Sequence, residues 1–105
     1  MKITVCSSCA LGAAGFGAVL GEQLAAARVV AELAEVECMS GCTRASTIAF
    51  RAAGKTAYLF GDLTDGDLAD LVNFAQAYAA SVDGDFADAR KLGALRHKAI
   101  ARIPA

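Results

Sequence analysis

The chain has one proline, one histidine and no tryptophan, and its net charge is only −1 over 105 residues. Each shortage removes a class of function. The single proline, Pro104, stands at the far end of the chain, so no cis-proline loop can face an early active site and no proline-rich linker exists. A lone His97 in a basic stretch is read as a solvated side chain. No Ser/His/Asp set or paired-carboxylate pattern stands out, so hydrolytic catalysis has no support. Near-neutral charge leaves no general basic field to hold nucleic acid or an anionic membrane. No apolar run is long enough to span a bilayer. Residues 3–21 carry no charge and precede small residues, but cysteines, serines and glycines interrupt them and Lys2 alone is basic before them. An export signal is therefore not expected, and the default compartment is the cytoplasm. Thiols stay reduced there, and paired cysteines serve more often as metal ligands or redox catalysts than as structural disulfides.

What the chain does have is apolar surface. Hydrophobic residues make up 56% and charged residues 20%, which excludes disorder and predicts one folded domain over residues 1–105. The charges are segregated. Asp62, Asp65, Asp67, Asp70, Asp83, Asp85 and Asp88 form an acidic run, and Arg90, Lys91, Arg96, Lys98 and Arg102 make the tail basic. Such a split is either two solvated faces or a docking surface for a charged partner.

The short segment 2–5, ending in β-branched residues, predicts a first strand, and a loop then continues through Gly12, Gly15 and Gly17. Phe16, Val19, Leu20, Leu24 and Ala27 follow at helical spacing, ending near Arg28. A strand with one wet face is expected over 32–38. Residues 47–50 and 56–60 flank Ala52-Ala53-Gly54-Lys55 as a β-hairpin. Thr64 and Asp67 read as a capping-box pair opening a helix over about 65–81. Leu92, Leu95, Ala99 and Ile103 suggest a short terminal helix, weakened by Gly93 and stopped by Pro104. Tyr58, Phe50, Phe60, Phe74 and Tyr78 fall at core spacing.

All four cysteines sit in two short clusters at strand ends, Cys6 and Cys9 as C-x-x-C, Cys38 and Cys42 as C-x-x-x-C. Each spacing lets a loop aim two thiolates at a common point. Four thiolates suit tetrahedral zinc or a [2Fe–2S] cluster. A thioredoxin-type dithiol at Cys6 and Cys9 is the third reading, opposed by the missing proline and by the residues between Cys9 and the first helical pattern. It also leaves Cys38 and Cys42 without a role. Gly12, Gly15, Gly17 and Gly41 would let backbone N–H groups approach sulfur closely, and Arg44 could shield a negative centre.

The order of elements, with the stretch CMSGCTRASTIAFRAAGKTAYLFGDL, resembles the thioredoxin-like [2Fe–2S] ferredoxins over about residues 2–81. It is closer still to a group of small bacterial proteins described as predicted metal-binding proteins, which share the early C-x-x-C, the C-x-x-x-C at a strand end and a terminal A-R-I-P-like stretch, here residues 101–104. The resemblance implies an α/β thioredoxin-like ferredoxin fold: strand-helix-strand-strand-strand-helix, a mixed sheet and a short helical tail. It implies Cys6, Cys9, Cys38 and Cys42 as ligands of one [2Fe–2S] cluster, with zinc as the alternative. The activity it implies is one-electron transfer rather than catalysis, to a redox protein partner that the acidic run would steer if basic. It further implies a homodimer, for which the expected sheet edge at 56–60 offers a surface.

Overall fold

β1 (Lys2–Cys6) is built from a run that alternates in burial, with Ile3 and Val5 directed into the core. In the computed structural model residues 1–6, 15–36, 46–84, 86 and 95–104 are described. After β1 come α1 (Phe16–Ala26), β2 (Glu32–Val36), β3 (Ile48–Arg51) and β4 (Ala57–Phe60). A single 3-10 turn (Asp65–Asp67) then leads into α2 (Leu68–Ala80), and β5 (Ala99–Ile103) closes the chain. The five-stranded sheet has the order β2-β1-β3-β4-β5. β1 and β2 are parallel, as a strand-helix-strand crossover requires, and the other three pairings are antiparallel. The molecule is thus a mixed α/β domain. Among the described residues no helix is long and apolar enough to cross a membrane.

Both helices pack into one core on one face of the sheet. Ile3, Val5, Ile48, Phe50, Tyr58 and Phe60 project from the strands, Phe16, Leu20 and Leu24 from α1, and Leu71, Phe74, Ala75 and Tyr78 from α2. Phe74 is the hub of the aromatic part. Its ring centre lies 4.8 Å from that of Phe50, 5.1 Å from Phe60 and 5.2 Å from Tyr58, each in edge-to-face geometry. Such pairs contribute about 0.5–1.5 kcal/mol beyond the area they bury. The core spacing expected of these aromatics is what the structure has. Val19 differs: at 44% exposed it lies off the buried stripe of α1.

Gly17 and Gly21, four residues apart on α1, allow the helix to lie close against β2. A Cβ on Gly21 would stand 2.8 Å from Leu33 Cδ1, and one on Gly17 would stand 3.0 Å from Glu35 Oε1. Gly17 was expected to line a sulfur-binding loop; it lies instead inside α1, where its role is this close approach. β2 itself is an edge strand, and Leu33 and Val36 remain 38% and 37% exposed. Wetting therefore reaches both of its faces rather than one.

The hairpin β3–β4 forms as expected, pairing Ile48 with Phe60 and Phe50 with Tyr58 across a turn containing Gly54. The capping box forms too: Asp67 Oδ2 accepts from the Thr64 N–H at 2.8 Å, and the helical run begins at Asp65. The tail is where the sequence reading needs correction. No terminal helix spans Leu95 to Ile103; residues 95–97 make one 3-10 turn, and β5 then pairs antiparallel with β4, Ala57 opposite Ile103 and Leu59 opposite Ala101. Leu92 and Gly93 lie outside the described residues. The physical reason is the edge of β4, whose N–H and C=O groups would otherwise be unpaired. A short isolated helix offers no comparable set of bonds. Leu95 is fully buried while Ile103 is 61% exposed, so their i, i+8 spacing marks no common apolar face. The same pairing removes the 56–60 edge as a surface for dimerisation, leaving β2 and β5 as the outer strands.

At the edge opposite Cys6 one buried hydroxyl ties three segments together. Tyr78 donates to the Thr56 carbonyl at 2.6 Å, the Thr56 N–H donates to the Asp83 carbonyl at 2.8 Å, and Lys55 Nζ donates to the Tyr78 carbonyl at 2.7 Å. Burial, with nearby Tyr58, pushes the Tyr78 phenol above its ordinary value, so it stays a donor. Gly84 fits under this arrangement at φ +68, where an added Cβ would stand 2.8 Å from Tyr78 Cε1 and 3.0 Å from Lys55 Cβ. Gly84→Ala is expected to lower stability by roughly 1–3 kcal/mol, combining the strained φ with overpacking. Urea denaturation measures this; an unchanged midpoint would mean that the turn has room the structure denies it.

Candidate metal centre

The strand directions decide which loops share an edge. β1 and β2 are parallel with Cys6 paired to Val36, so both strands end side by side, about 4.8 Å apart. β3 runs the other way, and its entrance joins them: the Cys6 N–H donates to the Thr47 carbonyl at 3.2 Å. Residues 7–14 therefore leave from one of these neighbouring ends, and residues 37–45 run from another to the third. This is the edge at the carboxyl ends of the parallel strands, the edge at which open α/β sheets place ligands. α1 and α2 both begin at this edge, because each follows a strand that ends there. The N-terminal partial positive charge of α1, which has no acidic residue in its first turn, favours an anionic centre such as bound thiolates, whereas Asp65, Asp67 and Asp70 already meet that of α2.

Cys6 closes β1 and is 1% exposed. Cys9, Cys38 and Cys42 lie outside the described residues, as do Gly12, Gly41 and Arg44. Among the described residues no group of three or more His, Cys, Asp or Glu could hold a metal ion. His97 is exposed and accepts a hydrogen bond from Arg96 Nε at 3.1 Å.

Thr47, directly opposite Cys6, reads in the sequence only as a strand residue. It is 1% exposed, and its hydroxyl is a buried side-chain polar atom without a hydrogen-bond partner among the described residues. Buried hydroxyls nearly always have one. The β1–β3 pairing brings this donor beside Cys6, far from it in sequence, so no local signal in the sequence could have singled it out for that place. The polar, sulfur-bearing edge fits a thiolate-held metal group in the character of its donors and the N-terminus of α1.

The acidic run does not act as one surface. Asp67 is 6% exposed and Lys98, from the basic tail, reaches its Oδ2 at 2.5 Å while also donating to the Asp62 carbonyl at 3.0 Å. Burial pushes the Asp67 carboxyl up, but the hydrogen bonds from Lys98 and the Thr64 N–H outweigh it and hold the group below its ordinary value. Asp83 stands at the far edge, beside Thr56. Asp65 is exposed near the cysteine edge and Asp70 is half-buried in the first turn of α2. Asp85 and Asp88 lie outside the described residues.

A family model described as "Protein of unknown function (DUF1636)" matches residues 3–105. No curated protein and no solved structure matches the chain.

The pairing at this edge has a pH signature. A carboxylate held below its ordinary value stabilises the fold at pH above the unfolded-state value, and that stabilisation is lost as pH falls through the folded-state value. Asp67→Asn should therefore cost roughly 1–3 kcal/mol at neutral pH, the range for a buried hydrogen-bonded group that loses its charged partner. The gap from the native chain should close below about pH 4. Urea melts across that range check both parts, and a gap independent of pH would rule out the charged pair as its source.

Proposed function

Since the chain belongs to that family, whose description names no activity, we propose from its own residues that it is an electron-transfer domain holding one [2Fe–2S] cluster on Cys6, Cys9, Cys38 and Cys42. The observation that carries this reading is the side-by-side ending of β1 and β2 at Cys6 and Val36. In sequence Cys9 lies three residues beyond Cys6, Cys38 two beyond Val36 and Cys42 four before Ser46. Chain spans of at most roughly 7–14 Å separate each from an anchored end at one edge. When bound, such a cluster supplies a one-electron couple. In this reading the chain contributes four soft thiolates, the N-terminus of α1 without an acidic residue in its first turn, and strand ends held by the sheet.

The dithiol reading loses ground on burial. Cys6, the first thiol of C-x-x-C and the one that would attack, is 1% exposed inside a strand end, and α1 begins only at Phe16. Reactive cysteines are partly exposed and sit at a helix start.

Protein prepared without oxygen should be red-brown, hold two iron and two acid-labile sulfide per chain, and become paramagnetic on one-electron reduction. Serine in place of Cys6, Cys9, Cys38 or Cys42, one at a time, should lower the iron content or shift the absorption, because alkoxide is the harder and poorer ligand. A colourless protein with one zinc per chain would replace the cluster with zinc. A metal-free chain in which Cys6 and Cys9 cycle as a disulfide would make it a dithiol oxidoreductase. Colourless protein counts against the cluster only once iron and sulfide reconstitution has failed.

The partner of this reading is a basic redox protein, met through the acidic groups near the site. Asp65→Lys with Asp70→Lys should slow association severalfold at low salt and leave the absorption spectrum unchanged, with the difference fading as ionic strength rises. Rates indifferent to both changes would reduce these aspartates to solvated surface.

A further inference from the structure

The Thr47 hydroxyl, without a hydrogen-bond partner among the described residues, is the feature of the cysteine edge that the fold itself does not explain. The other buried polar residues among those described have partners: Asp67, the buried carboxylate of this edge, has Lys98 and the Thr64 N–H. Thr56, a buried threonine at the opposite edge, binds through its backbone to Tyr78 and Asp83. Thr47 and Cys6 continue the antiparallel register of Val5 with Ile48, joined by the Cys6 N–H to the Thr47 carbonyl. Residues opposed in this way have side chains on the same face with Cβ atoms about 4.5–5.5 Å apart. The O–H hydrogen of a threonine turns about the Cβ–Oγ1 bond, so its one donor can be directed at a sulfur of the opposed residue. A buried hydroxyl left unpaired is destabilising, a penalty that an acceptor arriving with a ligand would remove.

We propose that Thr47 is a positioning residue whose hydroxyl donates to the sulfur of the bound centre at Cys6. The proposal rests on the four-thiolate reading. A donor at a ligand sulfur stabilises the more negative, reduced state, so Thr47 raises the reduction potential of the centre and secures Cys6 as a ligand.

The test compares Thr47→Val, which keeps the branched shape without the hydroxyl, with Thr47→Ser, which keeps the hydroxyl. Thermal unfolding of the metal-free proteins comes first: Thr47→Val should be as stable as the native chain or more so, because no bond is lost there. After anaerobic reconstitution with iron and sulfide, the one-electron equilibrium of Thr47→Val against a redox dye should shift about three- to tenfold toward the oxidised form, the size of one hydrogen bond. Iron should also be lost faster to a chelator, and Thr47→Ser should behave as the native protein in both measurements. Metal-free Thr47→Val that is clearly destabilised would show the hydroxyl already bonded within the chain, and overturns the proposal. A native chain that loads while Thr47→Val shares its potential and chelator resistance overturns the role of Thr47 alone. A native chain that binds neither iron and sulfide nor zinc overturns the four-thiolate reading, and the role of Thr47 with it.

Discussion

The parallel pairing of β1 with β2 is the constraint on which the rest of the molecule depends. Two strands that run the same way must be joined by a crossover, and α1 supplies it on the apolar face of the sheet. Gly17 and Gly21 let that crossover lie close over β2, which otherwise has little cover. Because the crossover returns the chain to the starting edge of the sheet, both strands finish at the opposite edge. The chain segments bearing the two cysteine pairs therefore leave from neighbouring ends. An antiparallel β1–β2 hairpin would have sent them to opposite edges, and no common centre could then be held.

The second organising element is the exchange between acidic run and basic tail. Asp67 closes the capping box below α2 and, through Lys98, fastens the turn that leads into β5. The Gly61 N–H donates to the Lys98 carbonyl at 2.8 Å, so the same residue ties the exit of β4 to the entrance of β5. A buried carboxylate with an ammonium and a backbone donor has its charge satisfied, whereas one without them would leave an uncompensated charge in the interior. One acid of the run thus serves the fold, and the exposed Asp65 at the same edge is left to meet solvent or a partner.

β5 completes the sheet by covering β4, and Leu95 just before it joins the core fully buried. The face of the sheet away from the helices carries Thr4, Ala34, Ala49, Ala57, Leu59 and Ala101, all half-buried, with Val36 and Ile103 exposed on the outer strands. Small residues in strands give little apolar return for their ordering cost, so the stability of the domain rests on the aromatic side around Phe74.

The sequence by itself determined the elements whose signals are local. The β-branched end of residues 2–5 marked β1, the glycine-bearing turn marked the hairpin, and the Thr64 and Asp67 spacing opened α2. The cysteine spacing likewise named Cys6 as a candidate ligand at a strand end, where β1 does finish. Only the tertiary structure decided that residues 99–103 are a strand, that Asp67 pairs with Lys98, and that Thr47 stands opposite Cys6. The reason is separation along the chain. Each of these contacts joins residues 30 or more positions apart, and its free energy comes from satisfying a partner's unpaired hydrogen bond or charge. Local propensity carries no record of such a partner until the sheet has set the two side by side.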